Sequence, residues 1–565
     1  SDFSFGPFRL DLRKRVLWRD GELVPLAPKA LDLLAALVSQ AGDVVRKEDL
    51  LAQVWPDVVV EEANLSVNVS ALRKVLGDQA DGRPWIQTVP RRGYRFAGSR
   101  RAADAPADLP ALAVLPFRVL GGAGDDEYLG VGMADALITR LSRTGRVVVR
   151  PTRAVLRFAK AAVDPREVGR ELKVDAVLDG TVQRQGDRLR VSVQLVPLSG
   201  SFAPWAESFD AAFHDVFAVQ DAAAEQVARA LSLDLGAAER GKLTRRHTND
   251  LAAYQAYVKG RYFWGRLTGA ALERAFAGFS EAVALDAAYA LPHAGLADIY
   301  LILGFASVTP PAEAWRLARE SAEAALSRDE TLAEAHVSLA YVNLFQNWDW
   351  EATEAGLDHA TILDPHSSAA QQWRALYLDM RGRFDEALRA VLRAQELDPV
   401  SVVGSALLGF QHYLVRDHAR EAAQAQRTLE LDPHHFLGHW STGLVHQSAG
   451  RFREAVAAHR EAVRLGEGAS FLRLVLARSL ALAGEAEEAR AELAALAGGY
   501  ASSFQRATVH LALGEAERAL DCLEAAGDER DPWLVWLMVD PMLDPVRGHP
   551  RFVRLERRVR PDEGR

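Results

Sequence analysis

Residues 61–78, EEANLSVNVSALRKVLGD, and residues 85–96, WIQTVPRRGYRF, decide the N-terminal fold. In the first stretch Leu65, Val69, Leu72 and Leu76 recur at i, i+4, i+7 and i+11, a single apolar stripe at a period of 3.6. Gly77 follows the last leucine and is the residue type that best tolerates the left-handed end of a helix. The second stretch predicts a hairpin. Trp85, Ile86, Thr88 and Val89 favour strand, Arg91-Arg92-Gly93 makes a turn with two cations, and Tyr94 to Phe96 returns. Opposite the leucine stripe lie Ala63, Asn64, Val67, Ser70, Ala71 and Lys74, flanked by Ser66, Asn68 and Arg73. A helix with a small, polar outer face, followed by a basic hairpin, suits a DNA duplex. The helix fits a major groove and the hairpin tip reaches the neighbouring backbone or minor groove.

Working outward, residues 3–26 alternate short strand patterns with turn signals, Arg19-Asp20-Gly21-Glu22 among them. A helix is expected from about Pro28 to Gln40, with Ala30, Leu33, Leu34, Leu37 and Ala41 buried. A second runs from about Lys47 to Trp55, with Leu50, Leu51, Val54 and Trp55 inward, and Pro56 closes it. LRKVL and then TVPRRGYRF, with LAPKALDLLAAL (26–37) and KEDLLAQVW (47–55) upstream, resemble the winged-helix DNA-binding domain of OmpR/PhoB-type regulators over about residues 5–98. The VPRRGY form of the wing is closest to the CadC/ToxR-like branch.

That resemblance implies a winged helix-turn-helix that binds double-stranded promoter DNA. Asn64 and Asn68 could hydrogen-bond adenine edges, and Val67 and Ala71 could meet thymine methyls, with Ser70 beside them. Arg73, Lys74, Arg91 and Arg92 suit phosphate, which gives affinity with little sequence information. Tyr94 and Arg95 are further wing candidates. An ordinary solvated helix face is the competing account of the same residues.

The 565 residues carry a net charge of −9, which alone argues against nucleic acid. The distribution reverses that. Residues 1–101 hold 16 Lys/Arg and 13 Asp/Glu, a net of +3, which leaves −12 for the remainder. Five arginines and no acid lie between Arg91 and Arg101. The acidic remainder would keep DNA off the other domains. One cysteine, Cys522, excludes an internal disulfide or a thiolate metal cluster and fits a reducing compartment. The chain opens SDFSFGPF, without a basic, apolar signal, and has no uninterrupted run of about 20 apolar residues. CadC/ToxR relatives carry a membrane span, so its lack here favours a cytoplasmic regulator without membrane contact. Too few residues precede the winged helix for a receiver domain, so phosphorylation-driven pairing is not expected.

The fold class expected is multidomain and mainly α: a winged helix-turn-helix (1–101), a linker (102–110), an α/β domain with a mixed sheet (111–236), a linker (237–250) and an α-solenoid (251–565). Ser99–Pro110 is rich in Ala, Pro and charge and lacks apolar periodicity. Ala111 to about Gly236 predicts β-α-β-α-β-β-β-α, with strands at Ala111–Phe117, Val147–Arg150, Ala176–Gln183, Leu189–Pro197 and Trp205–Phe209. AVLPF, VDAVLDGTV and RVSVQLV are similar to the TolB N-terminal-like domain. Gly121-Gly122-Ala123-Gly124 and Gly130-Val131-Gly132 invite a phosphate-loop reading, but no Lys-Ser/Thr follows at the required spacing.

From about Leu251 the chain repeats. Leu363-Asp364, Leu397-Asp398, Leu431-Asp432 and Leu465-Gly466 are 34 residues apart, and GRFDEA (from Gly382), GRFREA (from Gly450) and GEAEEA (from Gly484) run in register with them. This resembles the tetratricopeptide repeat. Roughly seven to eight helix pairs would stack into a superhelix with a concave groove, and the ending from Asp531 is expected to cap the last repeat. His435, His439 and His446 lack a carboxylate at ligand spacing, so no metal is expected. No cofactor and no catalytic signature are read, and no enzymatic activity is expected. The expected function is a sequence-specific transcriptional regulator. Its α/β domain and repeats would sense, bind a protein or peptide partner in the groove, or support a homodimer, and contact with RNA polymerase is compatible with this. The alternatives are an interaction scaffold with accessory DNA binding, and an enzyme or second-messenger receptor in the α/β domain.

Overall fold

The computed structural model describes the chain apart from residues 1, 6–7, 12–15, 20–21, 25, 40–43, 55–61, 78–83, 90–91, 98–100, 103–108, 122–126, 160–162, 199–201, 213–214, 234, 244, 265–268 and 561–565. It falls into two compact units, Ser1–Leu109 and Pro110–Arg565.

In the first unit, strands Asp2–Phe5, Phe8–Asp11, Val16–Arg19 and Glu22–Val24 form an antiparallel meander. Arg101–Ala102 returns to pair with Asp2–Phe5, so the first sheet is closed by residues at the start of the expected linker. Three helices follow, Pro28–Ser39, Lys47–Val54 and Glu62–Leu76. The leucine stripe of the third is fully buried, against Leu33, Leu34 and Leu37 of the first. Leu50 and Val54 are buried as expected and Leu51 is half-buried; Ala41 and Trp55 lie outside the described residues. The wing pairs Ile86–Val89 with Gly93–Phe96, and Gly93–Phe96 pairs in turn with Val44–Arg46. Trp85 stacks on Phe96 at 5.9 Å and seats the wing in the core.

The second unit begins with a six-stranded mixed sheet. Ala111–Val114 lies parallel between Val148–Val149 and Ala176–Gln185, which continues antiparallel through Arg188–Pro197 to Trp205–Ala212. A short strand, Arg118–Leu120, runs parallel to the far half of Ala176–Gln185 and was absent from the expected order. Its three residues are half-buried or exposed, so no apolar pattern marks it. Helices Glu127–Ser142 and Val216–Ala230 supply much of the core through Leu137, Leu141, Ala223 and Val227. Gly130 and Gly132 lie inside the first of these helices. A Cβ on Gly130 would sit 1.9 Å from the Phe117 carbonyl oxygen, and one on Gly132 would meet Val258 at 2.9 Å. Both glycines therefore serve close packing.

Residues 251–529 form eight helix pairs among the described residues. First helices begin at Ser368, Val402, Phe436 and Ser470, and their partners at Phe384, His418, Phe452 and Ala486. Each series steps by 34. The turn inside these pairs needs a left-handed residue, and Gly382, Gly450 and Gly484 supply it at φ near +70 to +84°. Arg416 fills the same place in the Val402 pair (φ 61°) and Trp348 one period before Gly382 (φ 54°). Neither is a glycine, so neither shows in the glycine series. The pair beginning at Ala333 also departs from regularity: its first helix ends in a wider π turn, Asn343–Asn347.

The α/β domain is bolted to this array. The Arg150 guanidinium is buried and donates to the carbonyls of Leu172 (2.9 Å), Lys173 (2.7 Å), Glu396 (2.9 Å) and Leu397 (2.8 Å). It thereby closes the C-terminal end of helix Phe384–Leu397, where carbonyls lack helical partners and a cation is favoured. Arg153 adds Asp398 at 3.0 Å and Ser368 at 3.0 Å. Within the stretch expected as a linker at 237–250, Ala237–Leu243 is helical.

The C-terminal segment corrects the expectation of a simple cap. Pro532–Trp536, Pro541–Val546 and Pro550–Val559 lie against the second to fifth pairs as well as the eighth, in one apolar core. Trp533 packs on Phe305 at 4.4 Å and Trp536 on Phe410 at 5.1 Å. Tyr413 donates to Asp540 at 3.1 Å, and Trp350 to the Val559 carbonyl at 2.8 Å. From Phe305 to Tyr413 the array is therefore covered in part by this chain's own end, which limits where a partner could lie along it. Segment 531–560 is rich in Trp, Leu and Val, and burying them in this core gains more than leaving them over one terminal pair.

Candidate nucleic-acid interface

The outer face of helix Glu62–Leu76 stands clear of its own unit. Asn64, Ser66, Val67, Ser70, Ala71 and Lys74 are exposed, and Val67 is 66% exposed. Valine is a poor surface helix residue. Its position opposite a satisfied leucine stripe gives the helix a small apolar contact flanked by short polar groups. Asn68 is half-buried and donates its amide to the Asn64 carbonyl at 2.8 Å, which leaves its side-chain oxygen as an acceptor. The side chain of Ala63 lies outside the described residues.

The other expected contacts divide. Arg73 bridges helix and wing: Nε donates to the Ile86 carbonyl and Nη2 to Thr88 Oγ1, both at 2.8 Å. It ties the helix to the wing and retains further N–H groups. Arg95 donates across the hairpin to Gln87 Oε1 at 2.6 Å. Tyr94, a wing candidate for DNA contact, is buried in the core, with its hydroxyl 3.4 Å from Ser66 Oγ. The alternation of strand Gly93–Phe96 turns it inward with Phe96. Arg92 is exposed at the turn, its backbone N–H bonded to the Val89 carbonyl at 3.1 Å. Arg91 lies outside the described residues. The supports Gln87 and Thr88 were not singled out from sequence, since their partners are 8 and 15 residues away and follow no local spacing.

Gly93 is the fixed point of the wing. A Cβ there would sit 1.9 Å from the Val45 carbonyl oxygen and 2.9 Å from its carbon. Both are backbone atoms of the neighbouring strand, which can move only by breaking the pairing. Gly93→Ala is expected to cost about 2–4 kcal/mol and to weaken DNA binding together with stability. Thermal unfolding of the variant beside a binding titration checks this.

Among the described residues no group of three or more His, Cys, Asp or Glu is placed to hold a metal ion. His435 caps its own helix by accepting from the Leu437 N–H, and His439 lies 3.0 Å from the Pro433 carbonyl. No helix of the described residues is long and apolar enough to cross a membrane.

Two segments of this chain match known family models. Residues 21–96 match the model for the C-terminal domain of transcriptional regulatory proteins. Residues 108–225 match the second domain of HilA/YgeH-like transcriptional regulators, in the stretch likened above to TolB. Transcriptional regulator HilA of Salmonella typhimurium is 24% identical over 403 residues, 70% of each chain. "Putative adenylate cyclase 3" of Rhizobium meliloti is 31% identical over 247 residues, 42% of this chain and 41% of that one. Transcriptional activator CadC of Escherichia coli is 35% identical over 79 residues, 14% of this chain and 15% of its own. The bracketed helix and wing, the basic first hundred residues and these matches lead to one conclusion: the chain is a DNA-binding transcriptional regulator in which an OmpR/PhoB-type winged helix is followed by a HilA/YgeH-like second domain.

Proposed function

We propose that this chain is a cytoplasmic regulator that reads a specific promoter with the exposed face of Glu62–Leu76, and that two copies act on adjacent half-sites. The observation that carries the reading is the Val67 face, apolar and polar by turns and unused by the fold. Asn64, Val67, Asn68, Ser70 and Ala71 face the bases. Lys74, Arg91 and Arg92 meet phosphate, and Arg73 and Arg95 hold the wing while offering their remaining N–H groups. Tyr94 acts from the core, as a support for the helix. Two copies are invoked because one winged helix buries little surface, whereas specific sites are usually read in pairs. The second unit supplies the self-association, and a protein partner, RNA polymerase included, docks outside the groove region held by the C-terminal segment.

The test is salt dependence. A Lys74→Ala, Arg92→Ala chain is expected to bind every duplex more weakly by a similar factor. The slope of log affinity against log salt should fall by about 2, one for each phosphate that is no longer neutralised. An unchanged slope would remove these two residues from the interface. The scaffold alternative predicts that the cellular effect of the chain survives loss of DNA binding. Catalysis is not part of the proposal: Gly130 and Gly132 are packed against Phe117 and Val258 and offer no phosphate cradle.

A further inference from the structure

Where the α/β domain meets the first two helix pairs, the second unit holds a cavity of about 40 Å³. That is room for about three water-sized centres, the scale of a small ion and well below that of a nucleotide. Its walls come from separate parts of the chain: Asp135 and Arg140 from Glu127–Ser142, Arg245, Arg246 and His247 from the stretch entering the array, and Tyr254 and Tyr257 from the first array helix.

The lining is cationic. Arg140, Arg245 and Arg246 face a single lining carboxylate, Asp135. That carboxylate is already held by Thr152 Oγ1 at 2.6 Å and by Arg261 at 3.4 Å. Behind the wall, one carboxylate serves two guanidiniums: Asp221 pairs with Arg140 and, at 2.9 Å, with Arg246 Nε. Arg245 reaches Asp329 at 3.3 Å. His247 adds no charge. Burial first, then the neighbouring Arg143, push its protonation down to about 3, and Arg143 rests against this neutral ring. The trio Arg140–Asp221–Arg246 thus carries one positive charge that no carboxylate in it offsets, beside the cavity. Arg140 is buried, whereas Arg245 and Arg246 are exposed at the cavity's edge; guanidiniums clustered in this way suit a phosphate-type oxyanion, which they bind in bidentate fashion.

We infer that this seam binds a small oxyanion, either free phosphate or the phosphoryl end of a small metabolite, held by Arg140, Arg245 and Arg246. The ligand joins elements that are distant in sequence, so its binding stiffens the attachment of the α/β domain to the array. This site is independent of the DNA reading proposed above.

Calorimetric titration of the full chain with inorganic phosphate, at ionic strength held constant with chloride, tests the inference. Glycerol phosphate in a second arm separates the free ion from the ester, and acetate in a third tests for a tetrahedral anion. Saturable binding of one equivalent is expected for phosphate or its ester and not for acetate. Arg245→Gln and Arg246→Gln should each weaken it roughly tenfold. Arg190→Gln, which removes an exposed pair with Asp210 on the sheet, should leave it unchanged. Absence of saturable binding to both phosphate and the ester would overturn the proposal, as would native affinity in a folded Arg246→Gln chain. Should Arg246→Gln misfold, Arg245→Gln decides alone, since Asp329 keeps Thr331 as a partner at 2.6 Å.

Discussion

Val67→Asp is expected to abolish specific DNA binding and leave the fold intact. The side chain is 66% exposed and belongs to no core, so its loss removes little buried apolar area and a surface change of this kind stays within about 0.5 kcal/mol of native stability. In a major groove the same position faces base edges between two phosphate backbones. A carboxylate there gives up the apolar packing and meets like charge across a desolvated interface. The penalty is of the order of 3 kcal/mol, or about 100-fold in affinity. Equilibrium titration of a selected duplex, beside a thermal unfolding curve of the same preparation, reads both quantities. Unchanged affinity would place this face away from DNA. Lost affinity with a lowered unfolding temperature would mean that Val67 had been structural.

Trp536→Ala should be among the most damaging single changes in the second unit. The indole is 2% exposed and packs on Phe410 in the core shared by the C-terminal segment and the second to fifth helix pairs. Truncating a buried tryptophan costs about 3–5 kcal/mol, because the cavity left behind is only partly filled. The denaturation midpoint of the second unit is expected to fall while the winged helix keeps its affinity for a single half-site. Were the segment only a cap on the eighth pair, the loss would be confined to that pair and protection of the Ser368–Met380 and Val402–Leu414 helices from amide exchange would be unaltered. The expected outcome is that protection falls in both.

The recognition helix and the wing were legible because their periodicity is local: Leu65, Val69, Leu72 and Leu76 need only their own spacing to be read. The strut between them was not, because Arg73 uses a backbone carbonyl at Ile86 and a hydroxyl at Thr88, groups no residue pattern marks. Tyr94 was misplaced for a related reason. Its place in a basic hairpin suggested DNA contact, yet the strand's alternation puts it on the inner face with Phe96.

In the array the 34-residue step was visible at Gly382, Gly450 and Gly484. It passed unseen through Trp348 and Arg416, which hold the same left-handed turn at a cost glycine avoids. The folding back of residues 532–559 could not be read at all. It depends on apolar partners such as Phe305 and Phe410, more than 100 residues away, and long-range packing leaves no period.

The central claim is that the winged helix reads a defined sequence and that the rest of the chain brings two of them together. The most direct measurement is selection of bound duplexes from a random DNA pool by the full chain at fixed salt, with the Val67→Asp chain beside it. The account predicts a shared motif of two half-sites spaced by about one helical turn, enriched by the native chain and absent with the variant. Enrichment without any motif, or the same motif with both chains, would contradict it.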